Sequence, residues 1–307
     1  MPGVFSSPSV YPEGFNQGAV IQNLPIMLLL SKKAWFVDSN AAVRSDGSFD
    51  RPYATILTAI GKAAAGDLII IKEAHTEALT ATSFVCSVAG QIIIGLGSGS
   101  RIPTFTTAVV GGVVSVTAAN VSISNIRLVC NYTGGSTQAI LVDAAADGLT
   151  LDGIQCRDTA NTKEWLIHIS VATTVTDLKI KNCSLIGLAG GSMTNSILFA
   201  GTSGDVQILN NYIFVDSEDD VIDHLAAAGV NLLVANNKVI NVGTDVAGYC
   251  LRAHASTTGL AAWNLFCYDK VDAEISSGAA MWWMQNYASN TIAQSGLLDP
   301  TTSHAIP

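Results

Sequence analysis

Charge is scarce in this chain of 307 residues, of which only 13% are Asp, Glu, Lys or Arg and only 7% are aromatic. The 15 basic residues are scattered and are outnumbered by 24 acidic ones. The net charge of −9 argues against a nucleic-acid partner. With 49% hydrophobic residues, the composition excludes a disordered chain and predicts a folded protein with a large core.

The six cysteines form no CxxC pair and have no His/Cys spacing typical of a metal site. We therefore expect reduced thiols in a protein made in a cytoplasm, with no cofactor and no metal. The longest apolar run near the N-terminus, 26–30, is far too short to span a membrane, so no membrane partner is expected.

A repeat organises the chain between residues 120 and 267. Six segments begin with Asn, Asp or Gly at intervals of 28, 29, 28, 26 and 28 residues, and their first and third following positions are apolar in every copy. Their fifth position is Asn125, Asn182, Asn210, Asn236 or Asn264 in five copies and Gly153 in the other. The segments are NVSISNIRL (120–128), GLTLDGIQC (148–156), DLKIKNCSL (177–185), DVQILNNYI (205–213), NLLVANNKV (231–239) and GLAAWNLFC (259–267).

Alternation of period two places the apolar positions on one face of a strand, and Asn suits a corner that needs positive φ. A strand, a polar corner and a second strand at this interval predict the coils of a parallel β-helix. The corner asparagines are expected to bond from coil to coil. The apolar eighth position predicts that Cys156 and Cys267 lie in the core. The alternative is a β-sandwich with a chance period.

The segment ahead of the repeats has its own pattern. A strand at 35–37, a polar turn, and apolar residues at helical spacing after Pro52 predict a short helix that caps the solenoid. Asp38, Asp46 and Asp50 in the turn are candidate calcium ligands, although turn and capping roles also explain them. His75 is interpreted as a hydrogen-bonded turn residue.

Residues 1–33 are rich in proline and too apolar for a free tail. We expect an extended arm that docks on the chain's own solenoid, on a sister subunit or on another protein. Its candidate contact residues are Tyr11, Phe15, Ile26, Leu28, Leu29 and Leu30.

The N-terminal segment resembles that of right-handed parallel β-helix virion proteins of tailed bacteriophages. The resemblance covers about 45 residues and rests on WFVDSN (35–40), SDG (45–47), RPYATI (51–56) and AGD (65–67). It implies an all-β, single-stranded right-handed parallel β-helix with a capping helix, an N-terminal arm and threefold assembly. With about eight coils, the predicted divisions are arm 1–33, capping segment 34–66, β-helix 67–285 and tail 286–307.

The outward positions of the first strand become apolar toward the C-terminus, which usually marks an interface. Sister subunits around a threefold axis or the chain's own tail are expected to cover them. The predicted oligomer interface consists of Leu209, Leu233, Trp263, Trp282 and Trp283.

Polysaccharide-cleaving β-helices need a carboxylate pair, or a base with a charge-stabilising cation. Residues 217–224 faintly resemble the GDD segment of polygalacturonases, but the Gly-His-Gly and Arg-x-Lys settings of that family are missing. The candidate catalytic residues are Asp219, Asp220, Asp223, His224, Arg252 and His254. With these departures, we expect no enzymatic activity.

The favoured interpretation is a structural phage virion protein: a homotrimeric capsid decoration or cement protein on the capsid exterior, made in the host bacterial cytoplasm. Its arm would bind the major capsid protein. The alternative is a tail spike or receptor-binding β-helix that binds or cleaves a host surface polysaccharide. A cellular carbohydrate-active enzyme is disfavoured because no secretion signal is evident.

Overall fold

The computed structural model describes residues 33–42, 44–143, 145–243, 248–268, 276–290 and 295–297. The chain forms a parallel β-helix in which each coil contributes one strand to each of three sheets, called A, B and C. Eight successive coils carry all three strands within the described residues. The predicted fold class is confirmed, and it is consistent with the right-handed winding that parallel crossovers favour.

Sheet A contains ten strands, all parallel, and begins with a strand that precedes the first coil. Its strands are Ala34–Val37, Leu68–Ile71, Ile92–Gly95, Ser122–Ser124, Thr150–Asp152, Lys179–Lys181, Gln207–Leu209, Leu232–Ala235, Gly259–Ala262 and Met281–Met284.

Sheet B also has ten strands, the last of which pairs antiparallel with the one before it. They are Thr76–Leu79, Thr104–Thr107, Arg127–Cys130, Gln155–Asp158, Ser184–Ile186, Tyr212–Val215, Lys238–Asn241, Leu265–Tyr268, Tyr287–Asn290 and Ser295–Leu297. Strand stacking therefore extends beyond residue 285, where the β-helix was predicted to end.

Sheet C has eight strands, and a small fourth sheet runs beside it in three middle coils. The strands of sheet C are Phe84–Cys86, Val114–Val116, Ile140–Val142, Ile167–Val171, Asn195–Phe199, Ile222–His224, Leu251–Ala253 and Ser276–Ser277. The fourth sheet consists of Val175–Thr176, Ser203–Gly204 and Gly229–Val230.

The corner between sheets A and B uses left-handed backbone in successive coils, as the repeated Asn and Gly predicted. Two amino acids that rarely adopt it, Trp263 and Gln285, occupy the last two corners. The φ angles are 53° at Asn125, 66° at Gly153, 55° at Asn182, 56° at Asn210, 56° at Asn236, 55° at Trp263 and 52° at Gln285.

The sixth repeat is shifted by one residue from its predicted alignment. Gly259 pairs with Leu232, so Ala261 faces the core and Leu260 lies on the outer face. Phe266 is buried in the column predicted for Cys267, and Cys267 is only half-buried.

The same shift corrects two further predictions. The corner residue of this coil is Trp263 rather than Asn264, which is buried. Trp283 pairs with Ala261 and packs against the core, so it does not face outward as predicted for an interface residue.

The coil-to-coil asparagine ladder forms one position beyond the observed corner residues. Asn211, Asn237, Asn264 and Asn286 are each 2% exposed or less. Each side-chain oxygen from Asn237 onward accepts the amide Nδ2 of the preceding asparagine, at 2.9, 3.0 and 2.8 Å. The ladder therefore satisfies buried polar groups through the last four coils.

The N-terminal end of the core is closed by the helix Ile56–Lys62, as predicted. Its residues Ile56, Ala59 and Ile60 are buried in the main core cluster. The carboxylate of Glu77 accepts the backbone N–H of Ile56 at 2.8 Å and also bonds Nε2 of His75 at 3.1 Å. His75 is thus hydrogen-bonded, and it is a buried partner of the group that binds the helix N-terminus.

All six cysteines are free, and burial raises the pKa of the Cys86 thiol to about 12. In the described part of the chain, no helix has both the length and the apolar character needed to cross a membrane.

Replacing Asn237 by Ala should lower the free energy of unfolding by ~3 kcal/mol, because it leaves buried amide and carbonyl groups of two neighbouring coils without partners. Urea denaturation followed by circular dichroism measures this. The matched control is Asn236→Gly at the adjacent exposed corner, where glycine accepts the positive φ and little change is expected. Equal effects of the two substitutions would contradict the ladder's role.

Candidate functional site

The predicted catalytic residues lie on sheet C and in the turns that flank it, in the sixth and seventh coils. Asp220 is 1% exposed, and its Oδ1 accepts the backbone N–H of Tyr249 at 2.9 Å. Its Oδ2 lies 3.6 Å from Nη1 of Arg252. The side-chain amide of Asn195 donates to the backbone oxygen of Asp220 at 2.7 Å. Asp220 is therefore a buried anchor of this segment and offers little surface to a substrate.

Asp223 and Arg252 lie opposite each other in adjacent strands of sheet C. Both are partly exposed. Asp223 Oδ1 also accepts the backbone N–H of Leu225 at 2.8 Å. This pair is the part of the predicted cluster that a ligand on the outer face of sheet C can reach.

Two carboxyl groups of the cluster hold their protons more tightly than usual. Burial, together with the charges of Asp219 and Asp223 and against the effect of Arg252, raises the pKa of Asp220 to about 7. Burial and the Asp219 charge raise the pKa of Asp223. A carboxyl group with the pKa of Asp220 can donate a proton near neutral pH, which is the chemistry expected of a general acid.

His224 is separated from this cluster because adjacent residues of a strand point to opposite faces. Its ring is buried against Phe199, and Nε2 bonds the hydroxyl of Ser203 at 2.7 Å. Burial lowers the pKa of His224, which favours the neutral imidazole. His224 therefore belongs to the core rather than to an exposed site.

His254 follows sheet C and interacts locally. Its Nδ1 accepts the backbone N–H of Ser256 at 3.1 Å, and its backbone N–H donates to the backbone carbonyl of His224. Asp219 is exposed. The structure thus brings Asp219, Asp220, Asp223 and Arg252 together and leaves the two histidines in other roles.

A second candidate site is an exposed apolar surface around the corner between sheets A and B in the last four coils. Trp263, Trp282 and Tyr287 are 51%, 76% and 57% exposed. The predicted interface residues Leu209 and Leu233 lie on it and are half-buried. We call this the C-terminal apolar surface; its residues are Leu209, Leu233, Leu260, Trp263, Leu265, Trp282, Met284 and Tyr287.

Sequence reasoning missed the contribution of sheet B to this region. Leu265 and Tyr287 are exposed on sheet B, where the exposed Lys238 separates Leu265 from Tyr212. The half-buried Phe214 and Ile240 lie in the neighbouring row. The alternation of inward and outward positions in the second strand of each repeat could have predicted these outward apolar residues.

The aspartates proposed as calcium ligands form turns. Asp38 accepts the N–H of Asn40 and lies 3.8 Å from Nζ of Lys72. Asp46 accepts the N–H of Ser48 and pairs with Arg51. No group of three metal-ligating side chains occurs among the residues that the structure describes. The predicted arm residues Tyr11, Phe15, Ile26, Leu28, Leu29 and Leu30 lie outside that part of the chain.

No family model matches this chain, and no curated protein matches it significantly. Among solved structures it is similar to a rhamnogalacturonan lyase, with a TM-score of 0.54 and 13% identity over 83% of this chain and 74% of the lyase chain. It is also similar to a pectin methylesterase from Aspergillus niger, with a TM-score of 0.45 and 14% identity, covering 85% of this chain and 86% of the esterase. At such identities, the likeness to the lyase shows the parallel β-helix fold alone.

Substituting Asp220 by Asn should flatten the pH dependence of stability. Because the folded-state pKa is above the usual value, the native protein binds this proton more tightly, and stability falls as pH rises from about 4 through 7. Asn keeps an acceptor for the Tyr249 amide and removes the buried charge. Relative to the wild type, D220N should gain on the order of 2 kcal/mol between pH 5 and 8.

Urea denaturation at several pH values measures this difference. Asp50→Asn is the control, because Asp50 is exposed and lies in the capping segment, away from the Asp220 cluster. Parallel stability curves for D220N and the wild type would show that Asp220 does not hold a proton near neutral pH.

Proposed function

We propose that this chain is a structural protein of a tailed-bacteriophage virion, a homotrimer that decorates the capsid exterior and binds the major capsid protein through residues 1–33. The N-terminal motif resemblance supports the phage assignment. The C-terminal apolar surface carries the proposal for assembly, because contiguous exposed apolar area of this kind is a usual mark of protein contacts.

The position of the surface favours contact between copies. It follows one corner of the solenoid through consecutive coils, so it runs parallel to the solenoid axis. Three solenoids that stand side by side can each present this corner to the common axis. Its exposed tryptophans and tyrosine are the residue types that dominate interface energetics.

The alternative is a tail spike that binds or cleaves a host surface glycan. One observation favours it: Asp223 and Arg252 face each other on the outer face of sheet C, and the pKa of Asp223 is raised. The burial of Asp220 argues against the carboxylate pair that hydrolysis of a glycosidic bond uses.

Replacing Leu233 by Lys should dissociate the trimer, because it places a charge in the middle of the apolar contact. Analytical ultracentrifugation should give three times the chain mass for the wild type and the monomer mass for the variant. The matched control is Leu188→Lys, since Leu188 is an exposed leucine outside the C-terminal apolar surface. A monomeric wild type would refute assembly through this surface.

Deleting residues 1–33 should abolish binding to capsids while the trimer survives. Quantitative mass spectrometry of purified virions gives the copy number relative to the major capsid protein. Hundreds of copies support decoration, whereas a number near that of a tail fibre supports the spike alternative. Full capsid occupancy by the truncated protein would contradict the anchoring role of the arm.

A further inference from the structure

Two arginines on the outer face of sheet B carry charges that no carboxylate neutralises. In the described residues, Arg51, Arg101 and Arg252 each form an ion pair with an acidic side chain. Arg127 and Arg157 form none there, although acidic residues outnumber basic ones by 24 to 15 in the chain. Both are partly exposed.

The two guanidinium groups belong to adjacent coils, since the strand Arg127–Cys130 pairs with Gln155–Asp158. Burial and the charge of Arg127 lower the pKa of Arg157. Like charges held side by side at a partly dehydrated surface destabilise the unliganded protein. The same arrangement favours a bound anion, because its negative charge offsets both the repulsion between the two guanidinium groups and their loss of hydration.

Hydrogen bonds to the protein hold both side chains in place. Arg127 donates to Oε1 of Gln155 at 3.1 Å and to the carbonyl of Gly99 at 2.7 Å. Arg157 donates to the carbonyls of Cys156 and Ser184, both at 2.7 Å, and to the hydroxyl of Ser184 at 3.1 Å.

A guanidinium has five N–H donors. These contacts leave donors on both arginines without a described acceptor. The ordering of the two side chains is thus complete before any ligand arrives, which lowers the cost of binding.

Arg127 begins a row of sheet B that continues with groups that suit a sugar chain. Arg157 lies in the neighbouring row, paired with Val129 and Ile186. Gln155, Ser184 and Tyr212 follow Arg127 as register partners in successive coils, ~4.8 Å apart. They present an amide, a hydroxyl and an aromatic ring that is 36% exposed. This spacing is close to the length of one pyranose residue in a polysaccharide.

We propose that this row and the neighbouring Arg157 bind an acidic polysaccharide that runs along the solenoid axis, with its carboxylates on Arg127 and Arg157. Nucleic acid fits less well, because duplex binding uses many phosphate contacts and the chain is acidic overall. An acidic peptide lacks the ring hydroxyls that the amide and hydroxyl positions can bind. The proposal does not depend on the virion role or on the Asp223–Arg252 pair.

Isothermal titration of the full chain with three carboxylated polysaccharide oligomers, from polygalacturonate, alginate and hyaluronate, tests the site. At least one should bind saturably, more weakly as salt increases. Arg127→Gln and Arg157→Gln should each lower the affinity about tenfold or more, because each removes charge-assisted hydrogen bonds. Arg51→Gln is the control, since it removes one guanidinium at a distant turn.

Neutral dextran should not bind. Failure of all three acidic oligomers to bind, or equal affinity of the Gln variants and the wild type, would overturn the proposal. Equal binding of poly-glutamate would overturn the assignment to a glycan. If the Gln variants do not fold, Arg127→Lys and Arg157→Lys keep the charge and lose the guanidinium fork, and unchanged affinity in both would also count against the site.

Discussion

Parallel backbone pairing between successive coils is the constraint on which the rest of this structure depends. Each strand is satisfied only by the strand one coil away, so the interval between coils fixes which residues stack inside. The column from Ile93 through Ile123 and Leu151 to Val234 exists because these residues pair in register. Left-handed corners keep that register by turning the chain after the same number of residues.

Most of the fold could be predicted because corner chemistry and strand alternation recur in the sequence. The prediction failed in the coil of Trp263, where a tryptophan occupies a corner that asparagine fills in the three preceding coils. Aligning Asn264 with those asparagines moved the strand by one residue. A shift of one residue moves every side chain of a strand to the opposite face of the sheet. For this reason Phe266 lies in the core, where Cys267 was predicted, and Cys267 lies on the outer side.

The candidate acid site was harder to predict than the coils. Asp223 and His224 were predicted to share a site because they are adjacent in the sequence. In the strand, however, Asp223 points outward and His224 points into the core. The burial of Asp220 depends on the turn that leads into sheet C and on Asn195 from the previous coil. Neither contact leaves a periodic signal, because both involve irregular backbone between strands.

The exterior of the solenoid is less constrained than its interior, so unusual exterior residues are informative. Trp263 holds a left-handed backbone that costs about 1–2 kcal/mol for a residue with a Cβ. It does not recover this cost by burial, since 51% of it is exposed. Its indole N–H donates to Oε1 of Gln285 at 2.6 Å, which orients the ring over the corner. Asparagine would fit that corner without the strain, so the exposed tryptophan supports the proposed contact between copies at the C-terminal apolar surface.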